Sequence, residues 1–364
     1  MKQGPLSGVR VIEFSALGPV PFCTMLLADM GADVVQVARA RAHVDPGNFM
    51  QRGRRVVPLD LKDPGDRDTA LELVAHADMV LEGSRPGVME KIGLGPDVCL
   101  AHNPRLVYGR MTGWGQTGPL SGTAGHDINY IALTGALDAI GPTNGAPVPP
   151  LNLIGDYGGG AMFLAFGALC ALWEARDSGQ GQIIDSAMVD GTAMLMSLFC
   201  RLHAQGEWND ARGTNSLDGG APWYSTYRTM DDRYVAVGAL EEPFWQALLV
   251  GLDVAPDSLP PRADKAGWPA IRTALAERFA SRTRDVWAAH FRDSDACVSP
   301  VLGLHEAATH EHMVARRTYS VHGDRLQPAP APRLSRTPGF TAGTSTVSSA
   351  DAVLGGWRDD PSRH

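Results

Sequence analysis

The chain reads as an α/β protein: a large domain with a mostly parallel sheet flanked by helices, then a smaller α+β domain. Three observations predict this. Strand-like and helix-like runs alternate from Val9 onward at the spacing of βαβ units, which cross over right-handed in a parallel sheet. Near Arg201 the composition shifts to a Gly-, Asn- and Asp-rich stretch, and strand-like alternation follows it. A length of 364 residues also exceeds what one core commonly supports.

The first strand is 9–14, rich in β-branched residues and opened by Ser7-Gly8. After the Gly18-Pro19 break, 22–30 is helical with Gly31 as its C-cap, and 33–37 is the second strand. An amphipathic helix over 66–77 turns Leu71, Leu73 and Val74 inward, and 79–82 and 105–111 are further strands. A helix over 162–176, a strand at 182–185 and an apolar helix over 188–200 extend the first half. The apolar run 161–173 ends at Glu174 and Arg176, too short to cross a bilayer, and is expected as a buried helix.

Residues 206–221 form a long connection, of a length that is usually functional or linking. Strands 223–229 and 233–239 then pair as a hairpin around Met230-Asp231-Asp232, and helices at 268–280 and 284–292 complete the smaller unit. A Pro-, Arg-, Ser- and Gly-rich segment at 328–343 leads to a weak closing helix at 350–357. The expected organisation is a large domain over 1–200, a linker over 201–222, a small domain over 223–310, a second linker over 311–330 and a tail over 331–364.

An apolar fraction of 44% and a charged fraction of 20% are those of an ordinary globular enzyme. The net charge of -8 argues against broad nucleic-acid binding. The five cysteines form no CxxC pair and no metal-ligand spacing, which predicts reduced thiols, no metal and a cytoplasmic protein. The opening residues run straight into a strand, so no signal peptide and no membrane partner are expected.

Gly113-Trp-Gly-Gln-Thr-Gly118 matches the dinucleotide pattern GxGxxG after a predicted strand. Pro119 and Ser121-Gly122 then stand where the helix should begin, so a glycine-rich loop lining another ligand is the better reading. His305 and His310 are five apart, against the four of a helical zinc motif, and read as a solvated helix. Arg39, Arg41, Arg52, Arg54, Arg55, Lys62, Arg85 and Arg110 recur near strand ends of the first half. They are either scattered surface charge or a cradle for a polyphosphate.

The stretch 125–160 carries His126-Asp127 at one end and Gly155-Asp156 at the other, with small and apolar residues between. Such surroundings can perturb proton affinities as proton transfer requires. By spacing alone, a buried His and a helix-capping Asp account for the pair better than chemistry does. Glu241 reads as an ordinary strand-end carboxylate, and Cys297 as a buried thiol.

The sequence nonetheless resembles the family III CoA-transferases of the CaiB/BaiF type, and within them the α-methylacyl-CoA racemases. The match runs almost end to end: Gly4-Pro-Leu-Ser-Gly-Val-Arg-Val-Ile-Glu13, Leu81-Glu-Gly-Ser-Arg-Pro-Gly87 and Arg110-Met-Thr-Gly-Trp-Gly-Gln-Thr-Gly-Pro119. Gly125-His-Asp-Ile-Asn-Tyr130, Gly155-Asp156 and Asp295-Ala-Cys-Val-Ser-Pro300 continue it. The resemblance implies an isomerase that interconverts (R)- and (S)-2-methyl-branched acyl-CoA thioesters through an enolate, with no cofactor beyond the CoA of its substrate. His126 and Asp156 are then the two bases, Glu241 a supporting carboxylate and the Asp127 backbone N–H an oxyanion donor. CoA lies near Arg39, Arg52, Leu59, Lys62, Glu82, Arg85, Tyr108 and Arg110.

The resemblance further implies an interlocked homodimer, a tail that returns to the large domain, and Glu241 of one subunit completing the site of the other. Departures from the family pattern fall at Val37-Ala38-Arg39-Ala40, where an acidic residue and a Pro usually accompany the Arg, and at Gln51-Arg-Gly-Arg-Arg55. The alternatives are a CoA-transferase with Asp156 as nucleophile and a non-catalytic CoA-thioester binding protein.

Overall fold

A computed structural model of the chain describes residues 4–39, 45, 47–322 and 325–359. The first elements are β1 (Arg10–Phe14), α1 (Pro19–Asp29), β2 (Asp33–Ala38), β3 (Arg54–Pro58), α2 (Pro64–Ala75) and β4 (Met79–Glu82). Then come α3 (Val88–Ile92), α4 (Pro96–His102), β5 (Val107–Thr112), α5 (Asp127–Leu133), a π-helical turn (Leu153–Ala161), α6 (Met162–Ser178), β6 (Gln182–Ala187) and α7 (Met188–Leu195). The chain continues through α8 (Ser197–Ala204), β7 (Tyr224–Arg228), β8 (Tyr234–Gly238), α9 (Glu242–Leu252), α10 (Trp268–Phe279), α11 (Arg284–Phe291) and β9 (Val298–Pro300). It closes with α12 (Leu304–Thr309), α13 (Glu311–Ala315), β10 (Tyr319–His322), β11 (Arg325–Pro328), β12 (Thr346–Val347) and α14 (Ala350–Arg358).

Two compact units result. The first comprises the described residues of 1–136, 150–197 and 317–364, and the second those of 137–149 and 198–316. The first unit holds a seven-stranded sheet in the order β12-β3-β2-β1-β4-β5-β6 with every neighbouring pair parallel. Because side chains alternate across a strand, each central strand feeds two cores. Val11, Val34, Leu81 and Met111 pack with α1 and α6 on one face, while Ile12, Val35, Val80 and Tyr108 pack with α2, α4 and α14 on the other.

The helices follow local rules. Pro19 sits in the first turn of α1, where its missing N–H costs nothing, so the helix begins at Pro19, three residues before the apolar periodicity does. Asp63 caps α2 by accepting the N–H of Gly65 and Asp66. The closing helix α14 buries Val353, Leu354 and Trp357 in the second core, and Trp357 Nε1 donates to Asp33 at 2.7 Å. In the second unit β7, β8 and β9 form an antiparallel sheet, packed with α9, α10 and α11 around Trp223, Trp245, Phe279 and Trp287. The connection 206–221 is organised by Asp218, whose carboxylate accepts the N–H of Gly213, Asn215 and Gly220.

Several expectations are corrected. Strand β3 is not among the expected strands, and its Arg54, counted among the recurring basic residues, is not surface charge: Arg54 Nε meets Glu13 at 2.6 Å with both side chains fully buried. Helix 188–200 is two helices, α7 and α8, parted at Met196, whose N–H closes the last turn of α7 onto Thr192 and Ala193. The helix expected to be buried at 161–173 is buried on one face only. Leu164, Ala168 and Ala171 pack inward, whereas Phe166 is 68% and Trp173 70% exposed. With the π turn before it, that helix spans Leu153–Ser178, 26 residues, long and apolar enough to cross a membrane by length and composition. Its inward face is nevertheless spent on the sheet.

Candidate active site

Strand β1 lies between β2 and β4, so the chain leaves β1 toward one side of the sheet and returns on the other. Such a switch point opens a crevice at the carboxyl ends of the strands. A cavity of about 490 Å³ lies there, bounded by Leu17-Gly18 after β1, Gly83 to Pro86 after β4, and Met111 to Trp114 at the end of β5. His126, Tyr130 and Asp156 also line it.

His126 is the N-cap of α5, in an extended conformation that turns the chain into the helix. Its carbonyl accepts from Asn129 and Tyr130, and Asn129 Oδ1 accepts its N–H at 3.0 Å. The Tyr130 hydroxyl reaches back to the carbonyl of Gly125, and its ring stands edge-on to Trp114 at 4.8 Å. Gly113 and Gly125 admit that ring: a Cβ at either would fall 2.0 or 2.7 Å from it. The glycine-rich loop therefore serves to seat Tyr130, and with it the segment carrying His126.

Asp156 lies within the π turn, a distortion often found at functional sites. Burial raises its carboxyl above the ordinary aspartate value. The hydrogen bond from Asn152 Nδ2, at 3.1 Å, works against that rise, Asp127 adds to it, and His126 offsets it in part. Gly18, with φ at 71°, gives way to this carboxyl, since a Cβ there would lie 3.3 Å from Oδ2. Asp127, the first residue of α5, is buried, and its Oδ2 accepts the Asp156 backbone N–H at 2.7 Å. Its own N–H belongs to the first turn, where no helical carbonyl meets it. The like-charged neighbour of Asp156 within this unit is thus Asp127. Tyr130 is held above the ordinary tyrosine value by burial and then by the Asp156 charge, with Arg85 opposing.

The residues assigned to CoA by resemblance divide into two groups. Arg85 lines the cavity, and Arg39 and Lys62 are exposed just beyond β2 and β3, at the same end of the sheet. The others are buried. Arg52 Nε meets Asp29 at 2.8 Å, Arg110 meets Glu82 at 3.2 Å and Glu90 at 2.8 Å, and the Tyr108 hydroxyl donates to the Leu94 carbonyl at 2.9 Å. Leu59 belongs to the second core. Burial pushes Glu82 up, with the Ser84 N–H and Arg110 pulling against it. Arg41 lies outside the described residues.

Glu241 lies in the second unit, exposed at the N-cap of α9, where its charge acts on Arg262 and Cys297. Cys297, expected as a buried thiol, is exposed with φ at 54°. The structure adds three groups beside Asp156 and His126 that the sequence does not single out: Asn152, Tyr130 and the Asp127 carboxylate. Tyr130 stood inside a quoted motif, and Asn152 stands four residues before Asp156, yet neither carries a signal of its own in one sequence.

The profile of the family described as CoA-transferase family III matches residues 6–347. Among curated proteins the chain is 47% identical to the alpha-methylacyl-CoA racemase of Mus musculus, over 92% of this chain and 87% of that one. It is 43% identical to the protein of that name in Homo sapiens, over the same shares. Among solved structures a CAIB/BAIF family protein from Brucella suis shares the fold with a TM-score of 0.83. It is 22% identical, and the match covers 98% of this chain and 100% of that one.

Proposed function

The chain belongs to CoA-transferase family III, and from that premise we propose that it racemises 2-methyl-branched acyl-CoA thioesters. One observation carries the reading: His126 and Asp156, brought from α5 and the π turn, line one cavity. The similarity to alpha-methylacyl-CoA racemases over 92% of the chain supports it.

Inverting the α-carbon means taking its proton from one face and returning one to the other. His126 in its neutral form and Asp156 in its protonated form suit that division. A group that removes a proton while its counterpart delivers one contributes roughly 10²–10⁴-fold. The planar enolate between the two steps carries charge on the thioester oxygen. The Asp127 N–H, free of the helix ladder, is the donor offered to it, worth about 2.7–4 kcal/mol. Arg85 at the cavity edge and Arg39 and Lys62 beyond β2 and β3 offer positive charge to the CoA phosphates. A second copy covering the exposed apolar face of α6, around Phe166 and Trp173, fits the homodimer that the resemblance implies. Glu241 enters the reaction through that copy.

The test is exchange. A single enantiomer of a 2-methylacyl-CoA, incubated in D₂O with no acceptor acid, should take up deuterium at the α-carbon and lose chirality. His126→Ala and Asp156→Ala should each abolish the loss of chirality, and each should leave deuterium uptake, with retention, only for the enantiomer whose α-proton faces the remaining base. Turnover that persists in His126→Ala and demands an acceptor carboxylate would make Asp156 the nucleophile of a CoA transfer instead.

A further inference from the structure

The reaction above uses only the backbone N–H of Asp127, yet the carboxylate of that residue is built into the site. It is buried, and its Oδ2 accepts the Asp156 backbone N–H at 2.7 Å. Gly155 makes room for it: a Cβ there would lie 2.6 Å from Oδ2 and 2.9 Å from Cγ. The second oxygen, Oδ1, is buried and meets no hydrogen-bond donor among the described residues. A merely structural contact has no need of so costly a group, since a side chain of the same shape with a donor would be cheaper to bury.

We propose that Asp127 is a positioning residue for proton transfer: its carboxylate clamps the turn that carries Asp156 and sets a negative charge beside the Asp156 carboxyl. The inference rests on the racemase reading and deepens it. Asp127 adds to burial in raising the Asp156 carboxyl above the ordinary aspartate value, and His126 and the Asn152 hydrogen bond oppose both. Tyr130 on α5 and Arg85 after β4 share the cavity with Asp156, and burial and the Asp156 charge raise the Tyr130 hydroxyl while Arg85 opposes that rise. A carboxylic acid kept protonated by a buried like charge can return a proton to the enolate while neutral His126 removes one from the opposite face.

Two variants of the full chain separate the clamp from the charge, assayed by deuterium exchange on the CoA thioester of a straight-chain 2-methyl acid. Asp127→Asn keeps an acceptor oxygen and removes the charge. Its KM should hold, while the acid limb of its kcat/KM profile, which belongs to the His126–Asp156 pair, moves down by about one pH unit. Asp127→Ala removes the acceptor as well, and kcat should fall about 10²-fold at unchanged KM. A profile for Asp127→Asn that superimposes on wild type, or wild-type kcat in Asp127→Ala, overturns the proposal. If Asp127→Ala loses its circular dichroism, the Asp127→Asn profile alone decides. Wild-type protein that exchanges no α-proton sinks the racemase reading, and the proposal with it. An active wild type with indifferent variants sinks the proposal alone.

Discussion

Replacing Gly191 by alanine tests how tightly the fold seats the turn that carries Asp156. Gly191 lies in α7, and a Cβ there would fall 1.8 Å from the Gly159 carbonyl oxygen and 2.6 Å from its carbon. Both atoms are backbone, so no side chain can swing aside. To reach ordinary contact, α7 and the π turn must part by roughly 1.5 Å. Overpacking of this kind costs about 1–3 kcal/mol, read as a lower urea midpoint at unchanged slope. Asp156 is three residues from Gly159 in the same turn, so its carboxyl moves with the backbone. A displacement on the order of 1 Å at a reacting group costs about 10²-fold in rate, read by the D₂O exchange assay. Gly356→Ala is the control: it lies in α14 with nothing within 4 Å of the added Cβ. It should gain up to about 1 kcal/mol from helix propensity and leave the rate alone. A Gly191→Ala protein with wild-type midpoint and wild-type exchange would refute the account of a turn locked backbone to backbone.

Asp156→Asn should raise stability near neutral pH while abolishing racemisation. The Asp156 carboxyl binds its proton more tightly folded than unfolded, so its contribution is fully present below the unfolded value of 3.8 and is lost as pH rises through the folded one. The advantage of the neutral amide should therefore vanish in melts below that pH, and an advantage that persists there would contradict the assignment. Arg52→Ala leaves the buried Asp29 carboxylate without its cation and should cost about 3–5 kcal/mol in denaturant unfolding. A loss under 1 kcal/mol, together with a raised KM for acyl-CoA, would instead return Arg52 to the CoA site. Glu241→Gln should lower kcat only where the protein is dimeric, by sedimentation at the assay concentration. An unchanged kcat in a demonstrated dimer removes Glu241 from the reaction.

The parallel sheet was legible because its strands are buried on both faces and so read as β-branched runs, as at Val34-Val35 and Val80-Leu81. Strand β3 was not, since its first two residues are arginines. Charge signals solvent in a linear reading, and only the fold shows Glu13 and Thr24 waiting for Arg54. The exposed side of α6 was missed for the converse reason: Phe166 and Trp173 are as apolar as the residues packed beneath them, and composition does not say which face meets the sheet. His126 and Asp156 were visible as residue types and as part of a motif, yet spacing alone preferred a structural role for both.

By itself the sequence determined the α/β architecture and the family, because periodicity, caps and motifs are local or additive along the chain. It also named His126 and Asp156. Only the tertiary structure decided that they line one cavity, that Asp127 holds the turn carrying Asp156, and that Arg52 and Arg110 are spent on buried carboxylates. Those outcomes depend on distances between residues far apart in the chain. Electrostatic and steric energies follow separation in space, which a linear pattern does not encode.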